Sequence, residues 1–282
     1  MKKYLCFIAI IFGCITNVVS QDELNRTANF PKEKLYPKKK PIKKNTWVFI
    51  LAGQSNMAGR GWVEAEDTLI NQRIFSIDAE GNILYAKEPL NLFEPNYVGL
   101  DCGVSFARNL IPHIPPNINV LMIHTAVGGS NIRQWIDDST HRDVKLLSNF
   151  KEKVGIAKKY GTIKGILWHQ GESDANAKRI PLYLQNLQLL FKQFRAIIKD
   201  DHLPIILGEL GAFSKQPQAF EAINKIIRNY PEQDLRSAFI KTSDLQHKGD
   251  SLHFNSTGQR MMGERYAKIY ADKFLKSVYF RK

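Results

Sequence analysis

Cysteine is scarce in this chain of 282 residues, which holds three cysteines in all. Cys6 and Cys14 lie within the first twenty residues, in a stretch that we interpret below as a cleaved leader. Cleavage after residue 20 would leave Cys102 as the one remaining thiol. A disulfide framework within the mature chain is therefore excluded.

Acidic residues are sparse near the amino terminus, and this shortage accounts for much of the net charge of +13. Residues 1–46 contain ten of the 40 Lys and Arg but three of the 27 Asp and Glu, which leaves about +7. A nucleic-acid-binding domain would carry its basic excess over one folded face. A basic tail is typical of a solvated segment instead, and we expect no nucleic-acid partner.

Hydrophobic runs long enough to cross a membrane are missing as well. The run at residues 4–15 is too short to span a bilayer comfortably. Lys2 and Lys3 precede it, and Val18 and Ser20 occupy small-residue positions before a cleavage site at Gln21. This pattern predicts a signal peptide at residues 1–20, and hence an exported protein with no membrane span.

A lipoprotein signal is the alternative interpretation of the leader. Cys14 follows Gly13 and would carry the lipid, although the Ile-Phe-Gly before it is a poor lipobox. Residues 21–45 are rich in Lys and Pro and predict a flexible linker. The remaining residues, 46–282, are enough for one hydrophobic core, and we expect them to form a single catalytic domain.

Short apolar runs alternate with amphipathic stretches from residue 47 onward. Apolar runs separated by helices are typical of a parallel sheet covered on both faces. The sequence therefore predicts an α/β fold, a three-layer α/β/α domain with a five-stranded parallel sheet. The predicted strands are 47–52, 120–124, 163–168, 204–208 and 238–241, and the predicted helices are 104–111, 144–159, 183–198, 220–229 and 258–276.

Ser55 stands where such a sheet would bind a ligand, just beyond the carboxyl end of the first strand. Gly53 permits a tight turn there, and the helix that follows would offer free backbone N–H groups to a developing oxyanion. A helix-capping serine is the competing interpretation, since capping is a common role of this residue.

A serine nucleophile needs a base, and the base needs a carboxylate that orients it. Asp250 and His253 lie three residues apart, close enough for one turn to present both. A turn-forming aspartate and a surface histidine are the ordinary alternative. His169 and Glu172 could form a metal pair, but no third ligand is suitably spaced, so we expect no metal and no cofactor.

Several segments of the predicted domain combine in a distinctive way. They are Gly53-Gln-Ser-Asn-Met57, Gly128-Gly-Ser-Asn-Ile132 with Trp135, Trp168-His-Gln-Gly-Glu-Ser-Asp174, and Asp250-Ser-Leu-His253. In this order they resemble the sialate O-acetylesterase-like carbohydrate esterases, which include the acetylxylan esterases of carbohydrate esterase family 6 in the SGNH hydrolase superfamily. The resemblance covers the chain from about residue 47 to about residue 270.

The resemblance implies a flavodoxin-like SGNH fold and a serine esterase. Such an enzyme would remove O-acetyl groups from an acetylated carbohydrate such as xylan, sialate or a related glycan. Ser55 would be the nucleophile, His253 would take its proton, and Asp250 would hold the imidazole in the productive tautomer.

The resemblance also implies roles for the residues around the reacting serine. The oxyanion donors would be the backbone of Ser55, the backbone of Gly129 and the side chain of Gln170. Glu172 would support the site, either by assisting the histidine or by pinning its loop. Trp135, which follows the glycine turn, is our candidate for stacking on a sugar face.

Two other functions compete with a carbohydrate esterase. A lipase or thioesterase could use the same residues, but a long apolar lid segment, which would favour lipid, is not evident. A non-catalytic carbohydrate-binding protein would be expected to lack one of Ser55, Asp250 and His253. All of them are present, so the sequence favours the esterase.

Overall fold

The structure, a computed structural model, describes residues 26–275 of the chain. Within these residues, seven strands form one sheet and two short strands form a separate hairpin. The strands are Thr46–Gly53 (β1), Ile74–Ile77 (β2), Ile83–Tyr85 (β3), Asn119–His124 (β4), Thr140–His141 (β5), Val144–Lys145 (β6), Thr162–His169 (β7), Ile205–Gly208 (β8) and Ser237–Ile240 (β9). The order in the large sheet is β3-β2-β4-β1-β7-β8-β9. Within this seven-stranded sheet, β3 alone runs antiparallel to its neighbour.

The five predicted strands are confirmed as β1, β4, β7, β8 and β9, and the α/β class is confirmed with them. The sheet is nevertheless larger than the predicted five strands, because β2 and β3 extend one edge. These two strands are four and three residues long, and Ser76 interrupts the apolar residues of β2. Their sequences therefore lacked the continuous apolar run that marks a buried parallel strand.

Helices cover both faces of the sheet, and the alternating side chains of β1 show why. Val48 and Ile50 pack into one core with the helices at residues 146–160, 180–198 and 217–233, while Phe49 and Leu51 pack into the other with the helices at residues 103–110 and 256–270. All these strand residues are fully buried, as expected for the central strand of a three-layer domain. The helices are Ser55–Ala58 (α1), Gly103–Leu110 (α2), Ile132–Ile136 (α3), Leu146–Tyr160 (α4), Ile180–Ile198 (α5), Pro217–Gln233 (α6) and Ser256–Tyr270 (α7).

The predicted helices are found as α2, α4, α5, α6 and α7, with shifted boundaries. Helix α4 begins at Leu146 rather than at 144, because Val144–Lys145 pairs with Thr140–His141 in the hairpin. Helix α7 begins two residues earlier than predicted, because the Asn255 side chain accepts a hydrogen bond from the Gly258 N–H at 2.8 Å and caps it.

Residues 26–45 lie against the domain, in contrast to the flexible linker expected from their composition. Arg26 is buried and donates a hydrogen bond to the carbonyl oxygen of Val98 at 2.6 Å. The Leu35 carbonyl accepts from the Tyr85 N–H at 2.9 Å, on the edge strand β3. Single anchoring contacts of this kind do not need the apolar periodicity that sequence analysis detects.

The predicted signal peptide, its cleavage site and the alternative lipid site at Cys14 lie outside the described residues, and they stay predictions. Within residues 26–275, no helix is both long and apolar enough to cross a membrane.

The functional edge of the sheet follows from its strand order. β1 lies between β4 and β7, so the chain crosses to opposite sides of β1 at this point, where parallel sheets bind ligands. Gly53 closes β1 with a φ of 140°, and a Cβ atom at this position would overlap the carbonyl oxygen of His169 at the end of β7. The first predicted turn glycine is thus required both by its backbone angle and by the close approach of the two strands.

We expect Gly53→Ala to lower the free energy of unfolding by at least about 2 kcal/mol, because it adds left-handed strain and a clash with backbone. Gly155→Ala is the matched control: Gly155 lies within α4, and apart from its chain neighbours and the backbone of its own helix no atom of the described residues lies within 4 Å of the added Cβ. This control should be neutral or stabilising by up to about 1 kcal/mol. Urea unfolding of both variants measures the difference, and equal effects would contradict the argument.

Candidate active site

Ser55 is held where β1 ends and α1 begins. The Gln54 N–H donates to the carbonyl oxygen of His169 at 2.9 Å, which keeps the ends of β1 and β7 together. Ser55 is the first residue of α1 and is 7% exposed. Its Oγ lies 3.0 Å from His253 Nε2, although the two residues are 198 positions apart in the chain.

Asp250 and His253 share one turn, as their spacing predicted. His253 Nδ1 lies 2.7 Å from one carboxylate oxygen of Asp250. The other carboxylate oxygen accepts the backbone N–H groups of Leu252, at 2.9 Å, and of His253, at 2.8 Å. Gly249 and Ser251 flank the aspartate with φ values of 114° and 57°. The backbone therefore folds around the carboxylate, a local arrangement that aspartate favours in turns.

The pKa values of Asp250 and His253 fix the direction of these hydrogen bonds. Burial alone would raise the pKa of Asp250, but hydrogen bonds from the backbone and side chain of His253 outweigh it and hold this pKa below its ordinary value. Asp250 is therefore a carboxylate and accepts the Nδ1–H. Burial lowers the pKa of His253, and the hydrogen bond to Asp250 opposes this only in part. The imidazole is neutral at neutral pH, and its unprotonated Nε2 accepts a hydrogen bond from the Ser55 hydroxyl.

A cleft of about 370 Å³ opens beside Ser55 and His253. Gly129 borders it with a φ of 78°, a left-handed conformation that favours glycine. The Ser173 hydroxyl donates to the Gly129 carbonyl oxygen at 3.0 Å and fixes this peptide. The predicted donor positions Ser55 and Gly129 thus lie on the wall of one cleft.

Gln170 lies behind this wall, which departs from the direct oxyanion contact expected of it. Its side chain is fully buried, and its Nε2 donates to Asp174 at 2.6 Å and to the Gln54 side-chain oxygen at 3.2 Å. The same Gln54 oxygen accepts the Ser173 N–H at 3.1 Å. Gln54 is therefore the amide that lines the cleft, and Gln170 orients it from the interior.

Glu172 also lines the cleft, but its polar contacts are with Asn56 and His169 rather than with His253. Its side chain is 3% exposed. One carboxylate oxygen accepts from Asn56 Nδ2 at 2.6 Å and lies 3.6 Å from His169 Nδ1. Within the described residues, it forms no hydrogen bond with His253. The hydrogen bond of this carboxylate is therefore with Asn56 and not with His253.

Trp135 is a core residue, and the prediction that it stacks on a sugar is wrong. It is fully buried and packs edge-on against Trp168, with ring centroids 5.6 Å apart. Its indole N–H donates to the Ser130 hydroxyl at 3.0 Å. The tryptophan follows the glycine turn in sequence, but the amphipathic helix α3 turns its side chain into the core.

Arg60 and Arg142 form a cationic part of the cleft wall that no sequence pattern indicated. Both guanidinium groups pair with Glu94, and Arg142 also lies over the Tyr97 ring at 4.9 Å. Arg142 and Asp143 form the tip of the β5–β6 hairpin, with φ values of 48° and 63°. Such two-residue turns are usually marked by glycine or asparagine, and neither residue is present here to indicate one.

Proteins of known sequence and structure resemble this chain over most of its length. A probable carbohydrate esterase of Arabidopsis thaliana is 28% identical over 255 residues, which cover 83% of this chain and 93% of the relative. A solved structure of an Arabidopsis thaliana protein matches with a TM-score of 0.71 and 25% identity, over 82% of this chain and 99% of that one. The structure of NanS has the same fold, with a TM-score of 0.66, 18% identity, and coverage of 84% of this chain and 99% of that one.

This chain also matches the model of a protein family. Residues 45–272 match the family described as carbohydrate esterase, sialic acid-specific acetylesterase. This match covers the whole sheet and both walls of the cleft, and it confirms the resemblance drawn from the sequence segments. The chain therefore belongs to this family of carbohydrate esterases and is a carboxylic ester hydrolase of acetylated carbohydrate.

Proposed function

We propose that this protein hydrolyses O-acetyl esters of a sugar through Ser55 as nucleophile, His253 as general base and Asp250 as the orienting carboxylate. The observation that carries the proposal is the hydrogen-bond chain at the cleft. It joins Ser55 Oγ to His253 at 3.0 Å and His253 to Asp250 at 2.7 Å. Family membership supports the acetylated carbohydrate as substrate, and this chain of groups supports the way in which its ester is broken.

The reaction begins when His253 Nε2 takes the hydroxyl proton of Ser55 and the oxygen attacks the acetyl carbonyl carbon. The negative charge that develops on the carbonyl oxygen meets the backbone N–H groups of Ser55 and Gly129. His253 then returns the proton to the departing sugar oxygen, which leaves an acetylated Ser55. His253 then takes a proton from water, which attacks this second ester. The bond between the acetyl carbon and Ser55 Oγ breaks, His253 returns the proton to Ser55 Oγ, and acetate leaves.

The charge on the cleft wall favours a sugar that carries a carboxylate, and we include this in the proposal. Arg142 is 40% exposed in its side chain, while Glu94 is 1% exposed and shared between two guanidinium groups. One positive charge of this cluster is therefore not neutralised within it. Guanidinium groups bind carboxylates in a two-pronged geometry, and the family description names a sugar acid, sialic acid. A sialate-type substrate fits this wall better than neutral xylan.

Export is also part of the proposal, and residues 1–20 support it. Their basic start, short apolar run and small residues near position 20 are typical of a signal peptide.

Replacing Ser55 with Ala should lower acetate release from an O-acetylated sialic acid by about 10⁴-fold or more, because the attacking oxygen is gone. Asp250→Asn should lower turnover on the order of 10⁴-fold, because the imidazole loses its orienting acceptor. Thermal unfolding of both variants serves as the control for folding. Substantial turnover in a folded Ser55→Ala enzyme would refute the proposal.

Activity should persist into mildly acidic solution. The reaction needs neutral His253, and burial lowers the pKa of this histidine below its ordinary value. Neutral imidazole is therefore kept as the pH falls, and activity is lost only when the pH passes the lowered pKa. We expect the acid limb of kcat/KM to have its midpoint below about 6.5, the ordinary histidine value. A midpoint at or above that value would contradict this assignment.

Arg142→Gln should weaken binding of an acidic sugar ester while sparing a neutral one. Loss of a charge-assisted contact should raise KM for O-acetylated sialic acid roughly tenfold or more. KM for a neutral chromogenic acetate should change little. Arg133→Gln is the matched control, because Arg133 is an exposed arginine of helix α3 that pairs with Asp137, just after the helix, and does not line the cleft. Equal KM changes on both substrates would argue against carboxylate recognition.

A further inference from the structure

Asn56, the residue after the nucleophile, contacts the backbone on both sides of His253. Its Nδ2 donates to the Leu252 carbonyl oxygen at 3.1 Å, and its Oδ1 accepts the Phe254 N–H at 3.1 Å. The Asn56 side chain is fully buried. A single amide therefore grips the chain immediately before and immediately after the histidine.

Glu172 determines which way round this amide lies. Its carboxylate accepts the second Nδ2 hydrogen of Asn56 at 2.6 Å. A reversed amide would place Oδ1 against the Glu172 carboxylate and the Leu252 carbonyl, and would place Nδ2 against the Phe254 N–H. Two of these contacts would then place an acceptor against an acceptor, and the third would place a donor against a donor. All three are buried, where a polar group without a hydrogen-bond partner is costly.

The hydrogen bond between His253 and Asp250 cannot fix the position of His253 relative to Ser55. Both residues lie on one turn, and their mutual hydrogen bonds move with that turn. In the part of the chain that the structure describes, the direct hydrogen bonds from the Ser55 turn to residues 249–254 are the Ser55–His253 bond itself and the two bonds of Asn56. Asn56 shares helix α1 with the nucleophile, so it ties the base to the serine across one peptide unit.

We propose that Asn56 is a positioning residue that sets the distance between Ser55 and His253, and that Glu172 acts through Asn56 by fixing its amide. This inference rests on the proposed function of Ser55 and His253. It assigns Glu172 a role in holding the histidine loop and no role in proton transfer. The two carboxylates near the histidine thus differ: Asp250 orients the imidazole ring, and Glu172 orients the clamp on its backbone.

Asn56→Asp is the first test, because it keeps the size and the acceptor while removing the donor. A carboxylate would face Glu172 and the Leu252 carbonyl, so the His253 loop should shift away from Ser55. We expect kcat to fall roughly tenfold to a hundredfold, since misplacement by about 1 Å has effects of that size, with KM nearly unchanged. The rate at which an organophosphonate labels Ser55 should fall in parallel.

The proton NMR signal of the His253 Nδ1–H, shared with Asp250, distinguishes positioning from general damage. It should persist in Asn56→Asp, because the histidine and aspartate lie on the same turn. Asn224→Asp is the matched control: Asn224 is also buried and grips the N–H and carbonyl of one residue, Leu210, at 2.7 and 3.0 Å. This control should lose stability and keep kcat. A folded Asn56→Asp enzyme with wild-type kcat and labelling rate would overturn the proposal.

Glu172 provides a second test that does not depend on the folding of Asn56→Asp. Glu172→Gln keeps an oxygen that accepts from Asn56 and should hold kcat within about threefold of the wild type, whereas Glu172→Leu should lose roughly tenfold to a hundredfold. Equal, large losses in both would mean that the charge of Glu172 acts on the reaction itself, and would overturn its role through Asn56. Ser55→Ala, assayed alongside, distinguishes failure of the proposed function from failure of this inference. Full activity in Ser55→Ala would reject the proposed function. If Ser55→Ala is inactive, the variants of Asn56 and Glu172 decide the positioning role.

Discussion

The close approach of β1 and β7 at their carboxyl ends is the constraint on which the site depends. Gly53 meets the backbone of His169 with no room for a side chain, and the Gln54 N–H bonds to the His169 carbonyl at 2.9 Å. This contact brings the segment that carries Ser55 against the segment that carries Gln170 and Glu172. Two strand ends that are far apart in sequence thereby share one buried polar network, and each group in it has little freedom to move.

The proposed catalytic groups reach this network from the opposite end of the chain. Asp250 and His253 come from the turn before α7, and the capping of that helix by Asn255 fixes where the turn must end. Hydrogen bonds within the turn determine its internal geometry. They do not determine where the turn lies relative to Ser55. Placement depends on contacts that are distant in sequence: Phe254 is buried in the core beside the turn, and the buried amide of Asn56 holds the backbone on both sides of His253. Hydrogen bonds suit this purpose because they fix direction as well as distance.

Sequence reasoning succeeded where the physical signal is local or periodic. Buried parallel strands are continuous apolar runs, so β1, β4 and β7 could be predicted, and the Asp250–His253 pair follows from a spacing of three. It failed where orientation depends on tertiary packing. Whether Gln170 faces a cleft or the interior depends on Asp174, and whether Trp135 meets a sugar or the core depends on the rotation of α3. Arg142 was missed because its hairpin adopts a left-handed turn without the residues that usually announce one.

The groups proposed for chemistry and for substrate choice are held by different means. Gln54, Ser55 and Asn56 directly follow the central strand β1, so a displacement of these residues would disturb the sheet itself. Arg142 stands on a two-stranded hairpin outside that sheet, with two residues in a conformation that costs energy for side chains other than glycine. Its pairing with buried Glu94, which also accepts the Gly128 N–H at 2.7 Å, offsets this strain and ties the hairpin to the glycine turn. A substitution of the Arg142 side chain can therefore alter the charge presented to a sugar while Ser55 stays fixed at the end of the central strand.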